Sequence, residues 1–184
     1  MKILTFYYLL GVLLISCSGI AKADSTQVRI SGEIFIPPCK INGSDSGQLH
    51  ISFDKMALHR VNGVDFSVSK TINIFCEYFQ GKPYISLSGA VLSGASDNVL
   101  KTSGTNPDSL GIALYQGSDV NANYPLRIGA GYQGKYGFEI LRGLSAKNTE
   151  ASQFTFTAVP FKYGNSQLKP GKFSASVTMS ISYL

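Results

Sequence analysis

The sequence predicts an all-β protein, and three observations predict it. Short runs of alternating apolar and polar residues recur along the chain. Gly, Asn, Asp, Ser and Pro separate them. No segment of ten residues carries apolar side chains at i, i+3, i+4 and i+7 between helix caps.

The elements follow in chain order. Residues 28–36 alternate, with Val28, Ile30, Ile34 and Ile36 on one face, Gly32 among them, and Arg29, Ser31 and Glu33 on the other; Pro37-Pro38 ends the run. Asn42-Gly43 and Asn62-Gly63 are turn signals. Residues 70–76 (KTINIFC) place Ile72, Ile74 and Cys76 on one side. Residues 84–87, 110–115 (LGIALY) and 153–159 (QFTFTAV) are further strands, whereas 91–106, rich in Ser, Gly and Asn, reads as loop. The clearest run closes the chain. In FSASVTMSISYL, Phe173, Ala175, Val177, Met179, Ile181 and Tyr183 are apolar, and Ser or Thr fills every place between them. About seven short strands over this length favour a β-sandwich, with a barrel as the alternative.

The first 23 residues read as a secretory leader: Met1-Lys2, an apolar stretch at 3–15 too short to span a bilayer, and the small-x-small site Ala21-Lys22-Ala23. The expected mature start is Asp24; the competing reading is a lipobox ending at Cys17. Removal of 23 residues leaves 161, enough for one domain, and takes Lys2 and Lys22 away, so 14 Lys+Arg stand against 11 Asp+Glu, a net charge of about +3. That charge is small and dispersed. With no basic run and no aromatic–basic stripe, it argues against nucleic acid.

Cys39 and Cys76 remain as an even pair in an exported chain, and a disulfide is the expected state. It would stabilise by roughly 3–4 kcal/mol in the chain-entropy model. A metal centre would need more ligands than His50 and His59 supply. No metal, cofactor or small-molecule substrate is expected.

Three catalytic patterns carry little. Gly129-Ala130-Gly131-Tyr132-Gln133-Gly134 matches G-x-G-x-x-G, but strand-like residues follow it where a helix is required. Ser67-Val68-Ser69-Lys70, Ser96-Asp97-Asn98 and Lys101-Thr102-Ser103 mimic a penicillin-recognising serine enzyme, yet Ser67 leads into a β-run and the last two elements nearly touch in sequence. His50 and His59 have Asp54 and Asp65 near them and no activated nucleophile. Asn42-Gly43-Ser44 is a glycosylation sequon that reads equally as a turn.

What remains distinctive is an alternating strand at each end of the mature chain. Exposed alternating strands are templates for pairing with another chain. The leader, the arm with Gly32, the Cys39–Cys76 pair, Gly171 fourteenth from the end, the alternating C-terminal strand and penultimate Tyr183 together resemble the pilin subunits of chaperone–usher fimbriae. The resemblance spans the mature chain, and IPPCKIN, SLGIALYQG and FTFTAVPFKYGN are most similar to the minor tip-adaptor pilins of P-type pili.

The resemblance implies an incomplete immunoglobulin-like sandwich, residues 37–184, lacking its final strand, preceded by a donor-strand arm at 24–36. Val28, Ile30, Gly32, Ile34 and Ile36 would be the donor face. Gly171, Phe173, Ala175, Val177, Met179, Ile181, Tyr183 and Leu184 would form the groove strand and the chaperone contact. The implied partners are a periplasmic chaperone that holds the C-terminal carboxylate with basic residues, an outer-membrane usher, neighbouring pilins and an adhesin; the implied destination is the fimbrium, by way of the periplasm. The implied role is structural and not enzymatic: a tip adaptor, or alternatively a major shaft pilin. A different class is a closed, secreted carbohydrate-binding sandwich using Tyr124, Tyr132 and Tyr136.

Overall fold

Alternation becomes burial most plainly in β2 (Val68–Phe75), where Ile72 and Ile74 are buried and Thr71 and Asn73 exposed. The computed structural model describes residues 25–43 and 47–184, so the expected leader, Cys17, Asp24 and Ser44 lie outside the described residues. The chain divides into two units, one ending at Ile34 and the other Phe35–Leu184.

In the first unit, residues 25–34 form no regular structure, and Val28, Ile30 and Ile34 stand exposed. The expected alternation is there in sequence but has no ladder to join. The second unit holds every strand: β1 (Lys40–Ile41), β2, β3 (Pro83–Ser88), β4 (Val99–Lys101), β5 (Ser103–Gly104), β6 (Leu110–Gln116), β7 (Phe138–Glu139), β8 (Ala151–Lys162), β9 (Phe173–Ser174) and β10 (Thr178–Tyr183). Two 3₁₀ turns, Leu58–Arg60 and Tyr132–Gly134, are the only helical elements among the described residues.

One antiparallel sheet runs β1-β2-β8-β6-β4, a second runs β10-β3-β7, and β5 pairs with β9. The two larger sheets share one core. Ile72, Ile74, Ile112, Leu114, Phe154 and Phe156 of the first meet Ile85, Leu87, Ile181 and Tyr183 of the second. A smaller cluster of Leu92, Val99, Ala113 and Val159 covers the outer side of the five-stranded sheet.

Two expectations change. Residues 91–106 are not simple loop: β4 and β5 lie within them, and Leu92, Asn98, Val99, Leu100 and Thr102 are buried. Their Ser and Gly content hid short strands that local turns connect. The C-terminal strand is not continuous either. It breaks at residues 175–177, so β9 joins β5 while β10 joins β3, and Ala175 is exposed instead of facing the core.

Both Asn-Gly pairs do turn the chain. Asn42 and Gly43 have φ of 50° and 74°, and Asn62 Oδ1 accepts from the amides of Val64 and Asp65.

Candidate functional site: an open sheet edge

The outer edge of β4 is closed by local chain. Residues 90–92 bond along β4, through Leu92 N–H to Val99 O (2.9 Å) and Lys101 N–H to Ala90 O (2.7 Å). The edge of β10 facing away from β3 differs. Among the described residues its one main-chain partner is Cys39, whose N–H donates to Ile181 O at 2.7 Å. Main-chain groups of alternate residues point the same way in an antiparallel strand, so Met179 aims its N–H and C=O at the same edge with no strand to receive them.

Side-chain burial follows that asymmetry. Ile181 and Tyr183, beside Cys39, are buried, whereas Met179, Val177 and Phe173 are only half-buried against the core. Ile51 and Phe53, from residues 47–57 that form no strand, are half-buried against the same core, and the Phe53 ring lies 6.2 Å from that of Phe173. These half-buried apolar side chains form a strip beside the unpaired edge, and Cys39 closes its far end at Ile181.

The disulfide sets that closed end. Cys39 and Cys76 are bonded (S–S 2.03 Å), tying the residue that follows Pro37-Pro38 to the end of β2. Cys76 N–H donates to Glu150 O at 2.8 Å, so the bridge is held from both sheets.

The C-terminus is anchored locally. Leu184 and Lys82 exchange main-chain bonds of 2.8 and 2.9 Å, and Gly81, at φ 101°, presses against the Leu184 carbonyl so closely that no Cβ fits. Tyr183 is fully buried with no hydrogen-bond partner for its hydroxyl, and burial pushes its pKa up. Gly171 packs on the Thr105 side chain, where a Cβ would overlap. Gly32 has open space around its Cβ position.

The catalytic patterns dissolve into structure. The Ser69 hydroxyl bonds to Ser118 O and to the Thr157 hydroxyl, Asn98 is buried and donates to Leu114 O, and Lys101 pairs with Asp108. Ser67 and Lys70, three apart in extended chain, point to opposite faces. The segment at 129–134 leads into a 3₁₀ turn and not into an α-helix. His50 and His59 are both exposed, and among the described residues no group of three His, Cys, Asp or Glu side chains could hold a metal.

Ile51 and Phe53 lie between His50 and His59 in a segment that forms no strand and carries no local mark of its own. Their role depends on Phe173, 120 residues away.

The edge of β10 at Met179 is thus unpaired among the described residues, with half-buried apolar side chains beside it. The fimbrial protein family model matches residues 28–184. The chain is 36% identical over 166 residues to the fimbrial adapter PapF of Escherichia coli, covering 90% of this chain and 92% of that one. It is 34% identical to the minor fimbrial protein PrsF of Escherichia coli, with the same coverage of both. Among solved structures, the P pilus adaptor subunit PapF aligns with a TM-score of 0.53 and 31% identity over 83% of this chain and all of that one. The P pilus rod subunit PapA aligns with a TM-score of 0.56 at 20% identity, a likeness of fold. The chain belongs to the fimbrial protein family, and its fold is the immunoglobulin-like sandwich of pilin subunits.

Proposed function

We propose that this chain is a minor pilin that acts as an adaptor near a fimbrial tip, joining unlike neighbours by strand exchange. One observation carries the strand-exchange reading: β10 keeps an unpaired edge, flanked by the half-buried Phe173, Val177 and Met179. Similarity to relatives named as an adapter and a minor fimbrial protein supports the adaptor role.

In this reading the arm supplies Val28, Ile30, Ile34 and Ile36 to the trough of the next subunit, with Gly32 where that trough narrows. In the periplasm a chaperone strand fills this subunit's own trough and basic chaperone residues hold the Leu184 carboxylate. An usher then delivers the subunit to the fimbrium at the cell surface. Burying several Ile and Val side chains contributes on the order of 5–10 kcal/mol before ordering costs, and the free groups of Met179 gain ladder bonds. The role in this reading is structural, in keeping with the similarity to a fimbrial adapter and a minor fimbrial protein.

Quantitative mass spectrometry of purified fibres tests the role. An adaptor is present at one or a few copies per fibre; a count comparable to the most abundant subunit assigns the chain to the shaft.

A further inference from the structure

The outer face of the β10-β3-β7 sheet, opposite the core and the trough, has its own architecture. Alternation turns Ile85, Leu87, Ile181 and Tyr183 inward, leaving Lys82, Tyr84, Ser86 and Ser180 on the outer face, where Ser182 is buried. Register sets Ser182, Tyr84 and Glu139 side by side across the three strands. Lys82 Nζ donates to Glu139 Oε2 at 3.1 Å, while Glu139 Oε1 has no hydrogen-bond partner among the described residues. On Tyr84 lies a second ring, that of Tyr132, stacked with centroids 5.1 Å apart and planes at 26°.

Tyr132 is 49% exposed, and the chain constrains its backbone tightly to hold it there. Gly131 is pressed on the main chain of Gly137, and Gly137 on that of Ile85, so no Cβ fits at either. Gln133 has φ 50°, a left-handed conformation uncommon for a residue with a side chain. Tyr132 N–H donates to Gly137 O at 2.6 Å, and Tyr136 N–H to Tyr132 O at 3.0 Å. Backbone retained in such conformations at an exposed aromatic is the pattern of a preformed binding loop. The strand-exchange function uses none of it.

We propose that Tyr132, supported by Tyr84 and bordered by Glu139 and Lys82, is a binding platform for a neutral hexopyranose. A pyranose ring has an apolar C–H face that stacks on a tyrosine and a rim of hydroxyls that donate to a carboxylate and accept from an ammonium group. Tyr132 offers the first, and the Glu139–Lys82 pair offers the second. A protein partner is the weaker fit. Its anchors need a dry, well-packed surround, whereas this ring is bordered by a solvated ion pair. The platform faces away from the trough, so a saccharide could bind to the assembled subunit.

The test is saturation-transfer NMR on the full chain, isolated in its assembled or chaperone-bound form, with the methyl glycosides of glucose, galactose and mannose as probes. At least one probe should receive saturation on its ring C–H protons. Tyr132→Ala should abolish the transfer and Tyr132→Phe should keep it. Glu139→Gln should weaken binding about tenfold, the scale of one hydrogen bond to a charged group. Matched thermal melts establish that the variants are folded. Absence of transfer from all three probes, or equal transfer in wild type and Tyr132→Ala, overturns the proposal. If no sugar binds but Tyr132→Ala lowers incorporation into fibres, the platform is a protein contact and the proposal fails.

Discussion

Tyr183 shows how one residue carries opposing effects. Its ring fills the core between the sheets, yet its hydroxyl is buried without a partner. An unsatisfied buried hydroxyl costs stability, so Tyr183→Phe should leave the melting temperature unchanged or raise it, by up to about 1 kcal/mol in stability. Burial also raises the Tyr183 pKa from its ordinary value of 10.0. The folded state therefore keeps the proton that the unfolded state releases. The resulting stability is intact below pH 10 and is lost as pH climbs through the folded value. Thermal melts by circular dichroism from pH 8 to 11 should show a shallower alkaline decline for Tyr183→Phe. A large loss of stability at neutral pH in that variant would contradict this account.

Among the strands and the arm, the arm gives the sharpest expectation. Within the arm, nothing among the described residues lies within 4 Å of the Gly32 Cβ position. The Gly32→Trp variant should fold and co-purify with chaperone, yet insert into the next subunit's trough at least about tenfold more slowly, the scale of an overpacked site. Strand-exchange kinetics between purified subunits would measure it. Loss of both folding and exchange would mean that the arm is an integral strand.

The same scale shows what sequence could reveal. The runs at 70–76, 84–87, 110–115 and 153–159 became β2, β3, β6 and β8 because strong alternation and long ladders agree. β4 and β5 escaped notice because they are three and two residues long, and tertiary pairing, not propensity, makes them strands. The final strand reads as continuous because alternation continues through Ala175, but the chain changes sheets there, and periodicity does not encode which partner a strand takes. Ile51 and Phe53 belong to the apolar strip only through contacts remote in sequence, so no local pattern marks them.

At the scale of the whole molecule, the edge of β10 facing away from β3 is left largely unpaired among the described residues. The Cys39–Cys76 bridge and the Cys39–Ile181 bond close one end of β10, and the half-buried Phe173, Val177 and Met179 leave the rest open. An open apolar edge is an aggregation hazard unless another strand fills it. The most direct test compares two chains exported to an oxidising compartment without chaperone. One is the chain from residue 24 to 184; the other adds, through a flexible linker after Leu184, a second copy of residues 24–36. Soluble monomer yield and melting temperature are the readouts. Only the extended chain should be a stable monomer, because its added strand fills the edge of β10. If the unextended chain is already a stable monomer and gains nothing from the added strand, the sandwich is closed and the strand-exchange account is wrong.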